Sequence, residues 1–189
     1  MALAFVFPGQ GSQALGMLGE LAAVHGVVRT TFDEASGGAG VDLWALAQDG
    51  PEAQINRTEF TQPLLLAAGV AVWRAWQAAG GAQPELLAGH SLGEYTALVC
   101  AGALPLDAAA GLVRERGRLM QAAVPEGVGA MAAVLGADDA LIAQACAEVA
   151  GGEIVAPANF NSPGQTVIAG HAAAVDRALA RLAELGVRK

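Results

Sequence analysis

Lysine is almost absent from this chain: the single lysine is Lys189, and residues 1–188 contain none. A phosphate-binding loop of the Walker type and a Schiff-base enzyme both need a lysine, so neither class fits the body of the chain. Basic residues are also scarce, with 10 Lys and Arg against 18 Asp and Glu and a formal net charge of −8. That charge opposes the attraction to phosphates that drives nucleic-acid binding. We therefore expect no nucleic-acid partner.

Cysteines and long apolar runs are equally few. Cys100 and Cys146 lie far apart in Ala-rich stretches, which indicates reduced core residues rather than a disulfide or a metal pair, and no metal-ligand spacing occurs. The longest apolar run, Leu64–Trp73, is too short to cross a bilayer. The N-terminal "MALAFVFPGQGSQ" lacks the basic segment of a signal peptide. We expect a cytoplasmic protein that is not bound to a membrane.

Hydrophobic periodicity predicts strands alternating with helices up to Pro125. The predicted strands are 2–7 and 86–88, and the predicted helices are 15–26, 28–36, 42–48, 62–79, 92–102 and 106–124. Strands separated by helices favour a parallel sheet covered on both faces. Residues 1–125 are therefore interpreted as a large α/β portion.

The pattern changes after Pro125. It predicts a strand at 127–136, a helix at 138–150, strands at 153–160 and 165–170, and a helix at 171–185. This β-α-β-β-α order is that of a ferredoxin-like unit without its last strand. "VRK" at 187–189 could begin a further strand. We interpret 126–189 as a small second portion, and we expect both portions to be incomplete.

A serine lies between two glycines in "LLAGHSLGEYTALVCAG", residues 86–102. A Gly-x-Ser-x-Gly pattern between a strand and a helix is typical of a nucleophile held on a sharp turn, where the glycines let strand and helix approach closely. The residue after such a serine supplies a backbone N–H to an oxyanion, which makes Leu92 a candidate donor. The alternative is that Ser91 only caps the following helix.

Arg116 interrupts an apolar stripe on the helix predicted at 106–124. The stripe comprises Ala108, Ala109, Leu112, Val113, Leu119, Met120 and Ala123. Arg114 and Arg118 are expected on the opposite side, beside Glu115. A guanidinium on a buried face is costly unless it is paired, and its planar fork suits a carboxylate. The residues alone leave two interpretations open: an internal ion pair, or a binding site for a carboxylate ligand.

Four motifs together resemble the malonyl-CoA:acyl carrier protein transacylases of fatty-acid synthesis: "FVFPGQGSQ", "GHSLGEYTALVCAG", "VPEGVGAMAAV" and "NFNSPGQTVIAG". They follow in order through most of the chain. The resemblance implies an α/β-hydrolase-like large subdomain with a parallel sheet and a ferredoxin-like small subdomain lacking its last strand. It also implies transfer of a malonyl group from malonyl-CoA to the pantetheine thiol of acyl carrier protein through a seryl ester. No metal or other cofactor is implied.

The resemblance assigns roles to several residues. Ser91 would be the nucleophile, the backbone N–H groups of Gln10 and Leu92 would hold the oxyanion, and Arg116 would grip the free carboxylate of the malonyl group. A phosphate loop is the alternative for "GQGSQ", but that stretch lacks the required lysine and spacing.

Asn159 and Asn161 flank Phe160, so we expect them to point the same way from an extended segment. The resemblance implies that this segment lies near the active site, where both would contact substrate. The alternative is that they only form the turn before "SPG".

The general base is the unassigned part of the site. His90 adjoins Ser91, and neighbouring side chains on a tight turn diverge, so a packing or substrate-binding role fits it better. His25 has no other catalytic feature nearby, and His171 is the histidine that follows Ser91 in the chain. The family's histidine belongs to a Ser-His motif beyond this segment. We therefore expect this chain alone to be inactive. A general serine esterase and a non-catalytic truncated fragment are the alternative functions.

Overall fold

The computed structural model describes residues 2–125 and 127–187 as a mixed α/β fold with one parallel and one antiparallel sheet. The chain divides into two compact units between Ala123 and Val124. The α/β class predicted from the sequence is confirmed. The last two residues of the "VRK" segment, Arg188 and Lys189, lie outside the described residues, as does Glu126 beside the predicted boundary.

The first unit contains a two-stranded parallel sheet and seven helices among its described residues. In the sheet, Ala4 pairs with Leu86 and Phe7 pairs with Gly89. The elements are β1 Ala4–Phe7, α1 Gly19–Val24, α2 Val27–Ala39, α3 Leu43–Asp49, α4 Glu52–Ile55, α5 Thr58–Ala78, β2 Leu86–Gly89, α6 Leu92–Cys100 and α7 Leu106–Ala123.

Two helix starts differ from the predictions. Helix α1 begins at Gly19 rather than at 15, because Gly16 and Leu18 have φ of 76° and 62°, which are incompatible with a right-handed helix. Helix α5 begins at Thr58 rather than at 62 and keeps Pro63 inside it. Proline removes one N–H from the ladder of α5 but does not end the helix there. The short helix α4 had no counterpart in the sequence prediction.

Helix α7 packs closely against both α5 and α2. A Cβ added to Gly117 would lie 2.5 Å from the carbonyl oxygen of Thr58 at the start of α5. A Cβ on Gly38 of α2 would lie 1.9 Å from the carbonyl oxygen of Asp107 at the start of α7. Both helices can therefore reach α7 only because these positions lack side chains. The fully buried residues of this core include Phe32, Leu43, Leu64, Leu66, Ala109 and Val113.

The prediction of a buried apolar stripe on α7 is wrong in part. The buried residues of the helix are Leu106, Ala109, Ala110, Val113 and Gly117. Leu112, Leu119 and Met120 are about half exposed. Three of these five buried residues are alanine or glycine, which lets the neighbouring helices approach α7 closely. Arg116 lies at the edge of that face and is partly buried.

The described residues of the second unit form a three-stranded antiparallel sheet of order β3-β5-β4 and two helices. Val134, Ile142, Cys146, Ile168, Val175 and Leu182 form its core. The elements are β3 Gly129–Leu135, α8 Asp139–Val149, β4 Val155–Ser162, β5 Gln165–His171 and α9 Ala172–Glu184.

Both cysteines are free thiols. Cys146 is buried, as predicted, whereas Cys100 at the end of α6 is only partly buried. Burial raises the pKa of the Cys100 thiol to about 12, and the nearby Arg74 offsets this only in part. Within the described ranges, none of the helices combines the length and apolar character needed to cross a bilayer.

Candidate active site

Ser91 occupies the turn between β2 and α6 with a backbone conformation that L-residues rarely adopt. Its φ is 54° and its ψ is −112°. A Cβ on Gly89 would lie 2.0 Å from the carbonyl carbon of Gly93, and a Cβ on Gly93 would lie 2.1 Å from the carbonyl oxygen of Phe7. The two glycines of the motif therefore let β1, β2 and α6 meet at this turn.

The hydroxyl of Ser91 makes no capping hydrogen bond to the helix that follows it. It accepts a hydrogen bond from Nη2 of Arg116, with 3.0 Å between Nη2 and Oγ. The capping alternative is therefore not what this geometry shows. The two residues are joined although 25 positions separate them in the sequence.

The guanidinium of Arg116 is held from several sides. Its Nη1 donates to Oε1 of Gln62 at 2.7 Å, and its Cζ lies 5.7 Å from the ring centroid of Tyr95. Among the described residues, no carboxylate forms a salt bridge with it. The internal ion pair left open by the sequence is absent from this part of the chain. The guanidinium charge is thus available to a ligand.

The neighbouring arginines have other partners. Arg118 forms an ion pair with Glu115 on the exposed side of α7, as expected. Arg114, which was expected beside Glu115 on the side opposite the stripe, is partly buried and donates to the carbonyl oxygen of Ala39 at the end of α2. Its side chain is drawn toward α2 because the helix end leaves that carbonyl without an intrahelical partner.

Gln62 was not identified from the sequence. It is fully buried on α5, and its Nε2 donates to Sδ of Met120 at 3.3 Å. One signal could have found it: Gln62, Leu66 and Val70 recur every four residues, which places a polar amide on a buried helical stripe. The same signal identified Arg116.

The candidate oxyanion donors lie at the start of α6 and in the loop after β1. Leu92 is the first residue of α6, and the N–H groups of Gly93 and Glu94 donate to the carbonyls of His90 and Ser91. Among the described residues, the N–H of Leu92 donates to no acceptor, as expected in the first turn of a helix. This N–H is therefore available to an oxyanion.

Gln10 lies in an exposed bend beyond β1. The N–H of Gly11 donates to Oε1 of Gln13 at 2.9 Å, and Nε2 of Gln13 donates to Oδ1 of Asn56 at 2.9 Å. A Cβ on Gly9 would lie 3.4 Å from the carbonyl oxygen of His90. The loop that carries Gln10 thus begins against the Ser91 turn.

The three histidines have different surroundings. His90 is exposed, and its backbone N–H donates to the carbonyl of Phe7 at 3.3 Å. Neither His25 nor His90 hydrogen bonds to Ser91 within the described part of the first unit. In the second unit, Nδ1 of His171 accepts from the N–H of Ile154 at 3.0 Å.

Asn159 and Asn161 lie in β4, before the turn rather than within it. Asn159 pairs with Val167, but the register shifts between Phe160 and Ser162, so within the described strands Asn161 has no pairing partner on β5. An extra residue of this kind interrupts the alternation of side chains along a strand. The expectation that both asparagines point the same way assumed regular alternation along the strand, and the register shift removes that assumption.

Comparisons with known proteins agree over nearly the whole chain. The malonyl CoA-acyl carrier protein transacylase of Salmonella typhimurium is 59% identical over 186 residues, which cover 98% of this chain and 60% of the relative. The crystal structure of malonyl-CoA:acyl carrier protein transacylase from Xanthomonas oryzae pv. oryzae is 70% identical, with a TM-score of 0.95 over 100% of this chain and 61% of that one.

A third match comes from a solved complex described as a type II PKS acyl-carrier protein with its malonyl-transacylase, at 58% identity and a TM-score of 0.95 over 100% of this chain and 61% of that one. The chain spans about 60% of the length of the curated relatives it matches. The family profile described as acyl transferase domain matches residues 4–189. The chain accordingly belongs to the acyl transferase domain family, in which it is similar to the malonyl-CoA:acyl carrier protein transacylases.

Proposed function

We propose that this chain carries the nucleophile and the carboxylate-binding group of a malonyl-CoA:acyl carrier protein transacylase. The observation that carries the proposal is the hydrogen bond between Arg116 and Ser91. A hydroxyl on a strained turn and an unneutralised guanidinium beside it are the two groups that a seryl ester of a short dicarboxylic acid requires. No metal or other cofactor is needed for this chemistry.

In the first half-reaction, Ser91 Oγ attacks the thioester carbonyl of malonyl-CoA and gives its proton to a general base. The backbone N–H groups of Gln10 and Leu92 stabilise the oxyanion of the tetrahedral intermediate. The C–S bond then breaks, and the CoA thiolate takes the proton from the base. In the second half-reaction, the pantetheine thiol of acyl carrier protein attacks the seryl ester, and the serine recovers its proton.

Arg116 selects the acyl group. In malonyl-CoA one methylene separates the thioester carbonyl from the carboxylate, so a guanidinium next to the attacking hydroxyl is within reach of that carboxylate. A charged hydrogen bond contributes about 1.5–3 kcal/mol. Since about 1.4 kcal/mol corresponds to a factor of ten, Arg116 favours malonyl over acetyl by about 10- to 100-fold.

His90, Asn159 and Asn161 are proposed to contact substrate, as the family resemblance suggests. The base is proposed to be the histidine of the Ser-His motif that the family resemblance implies, rather than His25 or His90, because neither of these bonds to Ser91 in the described part of the first unit. A polypeptide limited to these 189 residues is expected to turn over about 10⁴- to 10⁶-fold more slowly than a complete catalytic unit.

We further propose the subdomain assignment made from the sequence: an α/β-hydrolase-like large subdomain at 1–125 and a ferredoxin-like small subdomain at 126–189. The parallel pairing of β1 with β2 before the Ser91 turn supports the first. The strand order β3-β5-β4 with its two helices supports the second. A cytoplasmic location is the remaining part of the proposal, and it rests on the sequence alone.

The test is to incubate the complete gene product with malonyl-CoA, acetyl-CoA and a neutral ester in parallel and to measure the intact mass. We expect one malonyl group per chain, its loss in Ser91→Ala, and its transfer to carrier protein on addition of the pantetheine thiol. Equal labelling by malonyl-CoA and the ester would favour a general esterase. Binding of carrier protein without acylation of the serine would favour a non-catalytic protein.

A further inference from the structure

Gln62 of α5 is a buried amide whose partners both lie on α7. Its side chain is fully buried, and an amide in such a place is costly unless it is hydrogen-bonded. Oε1 accepts from Nη1 of Arg116 at 2.7 Å, and Nε2 donates to Sδ of Met120 at 3.3 Å. Because residues 116 and 120 are one helical turn apart, the amide spans a single face of α7 and cannot rotate without losing a bond.

In this arrangement the two Nη groups of Arg116 have different partners. Nη1 is bound to Gln62 inside the protein, whereas Nη2 is directed at Oγ of Ser91, 3.0 Å away. Gln62 is neutral, so it orients the guanidinium without cancelling its charge. A glutamate of the same shape would form an ion pair and compete with a substrate carboxylate for the same donors.

We propose that Gln62 is a positioning residue for acyl selection: it fixes the inner end of Arg116 so that the outer end meets the carboxylate of the acyl group on Ser91. This inference rests on the proposed function. It adds that selectivity for a dicarboxylic acyl group depends on a neutral acceptor behind the arginine as well as on the arginine itself.

The experiment compares Gln62→Leu and Gln62→Glu with the parent in the complete gene product. Gln62→Leu removes the acceptor, so kcat/KM for malonyl-CoA should fall by about 10- to 100-fold while that for acetyl-CoA changes by less than about threefold. Gln62→Glu preserves shape and acceptor but neutralises Arg116, so it should lose at least as much malonyl preference. Gln77→Leu, an exposed glutamine on the same helix, is the matched control and should match the parent.

The outcomes separate this inference from the proposed function. A parent with no preference for malonyl-CoA would overturn the proposed function and this inference with it. A parent that prefers malonyl-CoA, with variants that keep that preference or lose activity toward both substrates equally, would overturn only the role of Gln62. If Gln62→Leu does not fold, Gln62→Glu decides, because it retains the side-chain volume.

Discussion

At the scale of single residues, the positive φ of Ser91 allows the loss of the hydroxyl to be separated from the relief of backbone strain, because alanine and glycine both remove the hydroxyl but only glycine relieves the strain. A non-glycine residue in this region costs about 1–3 kcal/mol, whereas glycine adopts it freely. We therefore expect Ser91→Gly to be more stable than Ser91→Ala by about 1 kcal/mol in the free energy of unfolding, although both lose acylation. Urea titration of the two variants measures the difference.

The same pair at Ser12, a residue without positive φ, provides the control. There the alanine variant should be at least as stable as the glycine variant, because glycine adds conformational freedom to the unfolded chain. Greater stability of Ser91→Ala than of Ser91→Gly would contradict the strained turn.

Substitution of Arg116 tests the carboxylate-binding role directly. Arg116→Lys keeps a charge but cannot bond to Gln62 and Ser91 through two ends of one planar group. We expect about a tenfold loss of acylation by malonyl-CoA in the lysine variant and a larger loss in Arg116→Ala, with acetyl-CoA little affected. Rapid-quench acylation measures this. Arg118→Lys, at the exposed ion pair with Glu115, should leave both rates unchanged.

The Cys100 thiol gives a prediction about pH. Its pKa is raised from 9.0 to about 12 by burial, so the neutral thiol stabilises the folded chain fully below pH 9 and loses that effect as the pH rises toward 12. The urea midpoint should fall across this window less steeply in Cys100→Ala than in the parent. Iodoacetamide should alkylate Cys100 at pH 8 only after unfolding, since the thiolate is the nucleophile. Rapid alkylation of the folded chain would show that the thiol is not protected.

At the scale of helices, we expect substitution of two adjacent glycines of α2 to change the free energy of unfolding in opposite directions. A Cβ on Gly37 would meet no atom of the described residues within 4 Å, whereas a Cβ on Gly38 would lie 1.9 Å from the carbonyl oxygen of Asp107. Gly37→Ala should raise the free energy of unfolding by up to about 1 kcal/mol through helix propensity. Gly38→Ala should lower it by about 1–3 kcal/mol because α2 and α7 must separate. Thermal or urea unfolding of the pair measures both, and equal effects would refute the close helix contact.

The secondary structure shows what local sequence determines. The α/β class and the order of the elements other than α4 were predicted, because apolar periodicity reports which face of an element is buried. The start of α5 was missed by four residues, since Pro63 is tolerated once neighbouring turns hold the helix. The exposed part of the α7 stripe was missed because Ala110 and Gly117, which are not large apolar residues, take part in the buried face, while Leu112, Leu119 and Met120 lie outside it.

The candidate site was predictable where a motif fixes a local conformation. "GHSLG" indicates the sharp turn at Ser91 by itself, and four ordered motifs identified the acyltransferase family, which is confirmed. Gln62 was missed because its role depends on a partner 54 positions away on another helix. The register shift at Asn161 was missed because the strand pairing that creates it is not encoded within β4 alone.

At the scale of the whole chain, the parallel sheet of the first unit leaves apolar side chains uncovered. Val6 of β1 is 75% exposed and Leu86 of β2 is 66% exposed, although parallel sheets are normally covered on both faces. A polypeptide of these 189 residues should therefore bind a hydrophobic dye and self-associate. Replacing Val6 and Leu86 together by lysine should lower dye fluorescence at least about twofold.

Val24→Lys is the matched control, since Val24 is 76% exposed and belongs to α1 rather than to either strand. It should leave the dye signal close to that of the parent. An equal decrease in the control, or no decrease in the double variant, would mean that the sheet face is not the dye-binding surface.

The division of the chain between Ala123 and Val124 has a consequence for engineering. Ser91, Arg116 and Gln62 all precede that point, so a chimera that exchanges the later segment for the corresponding segment of a relative keeps the nucleophile, the guanidinium and its amide anchor intact. Under the proposed function, grafting at this junction would show whether a change in acyl preference or in carrier choice follows the earlier or the later segment, with Ser91, Arg116 and Gln62 left unsubstituted.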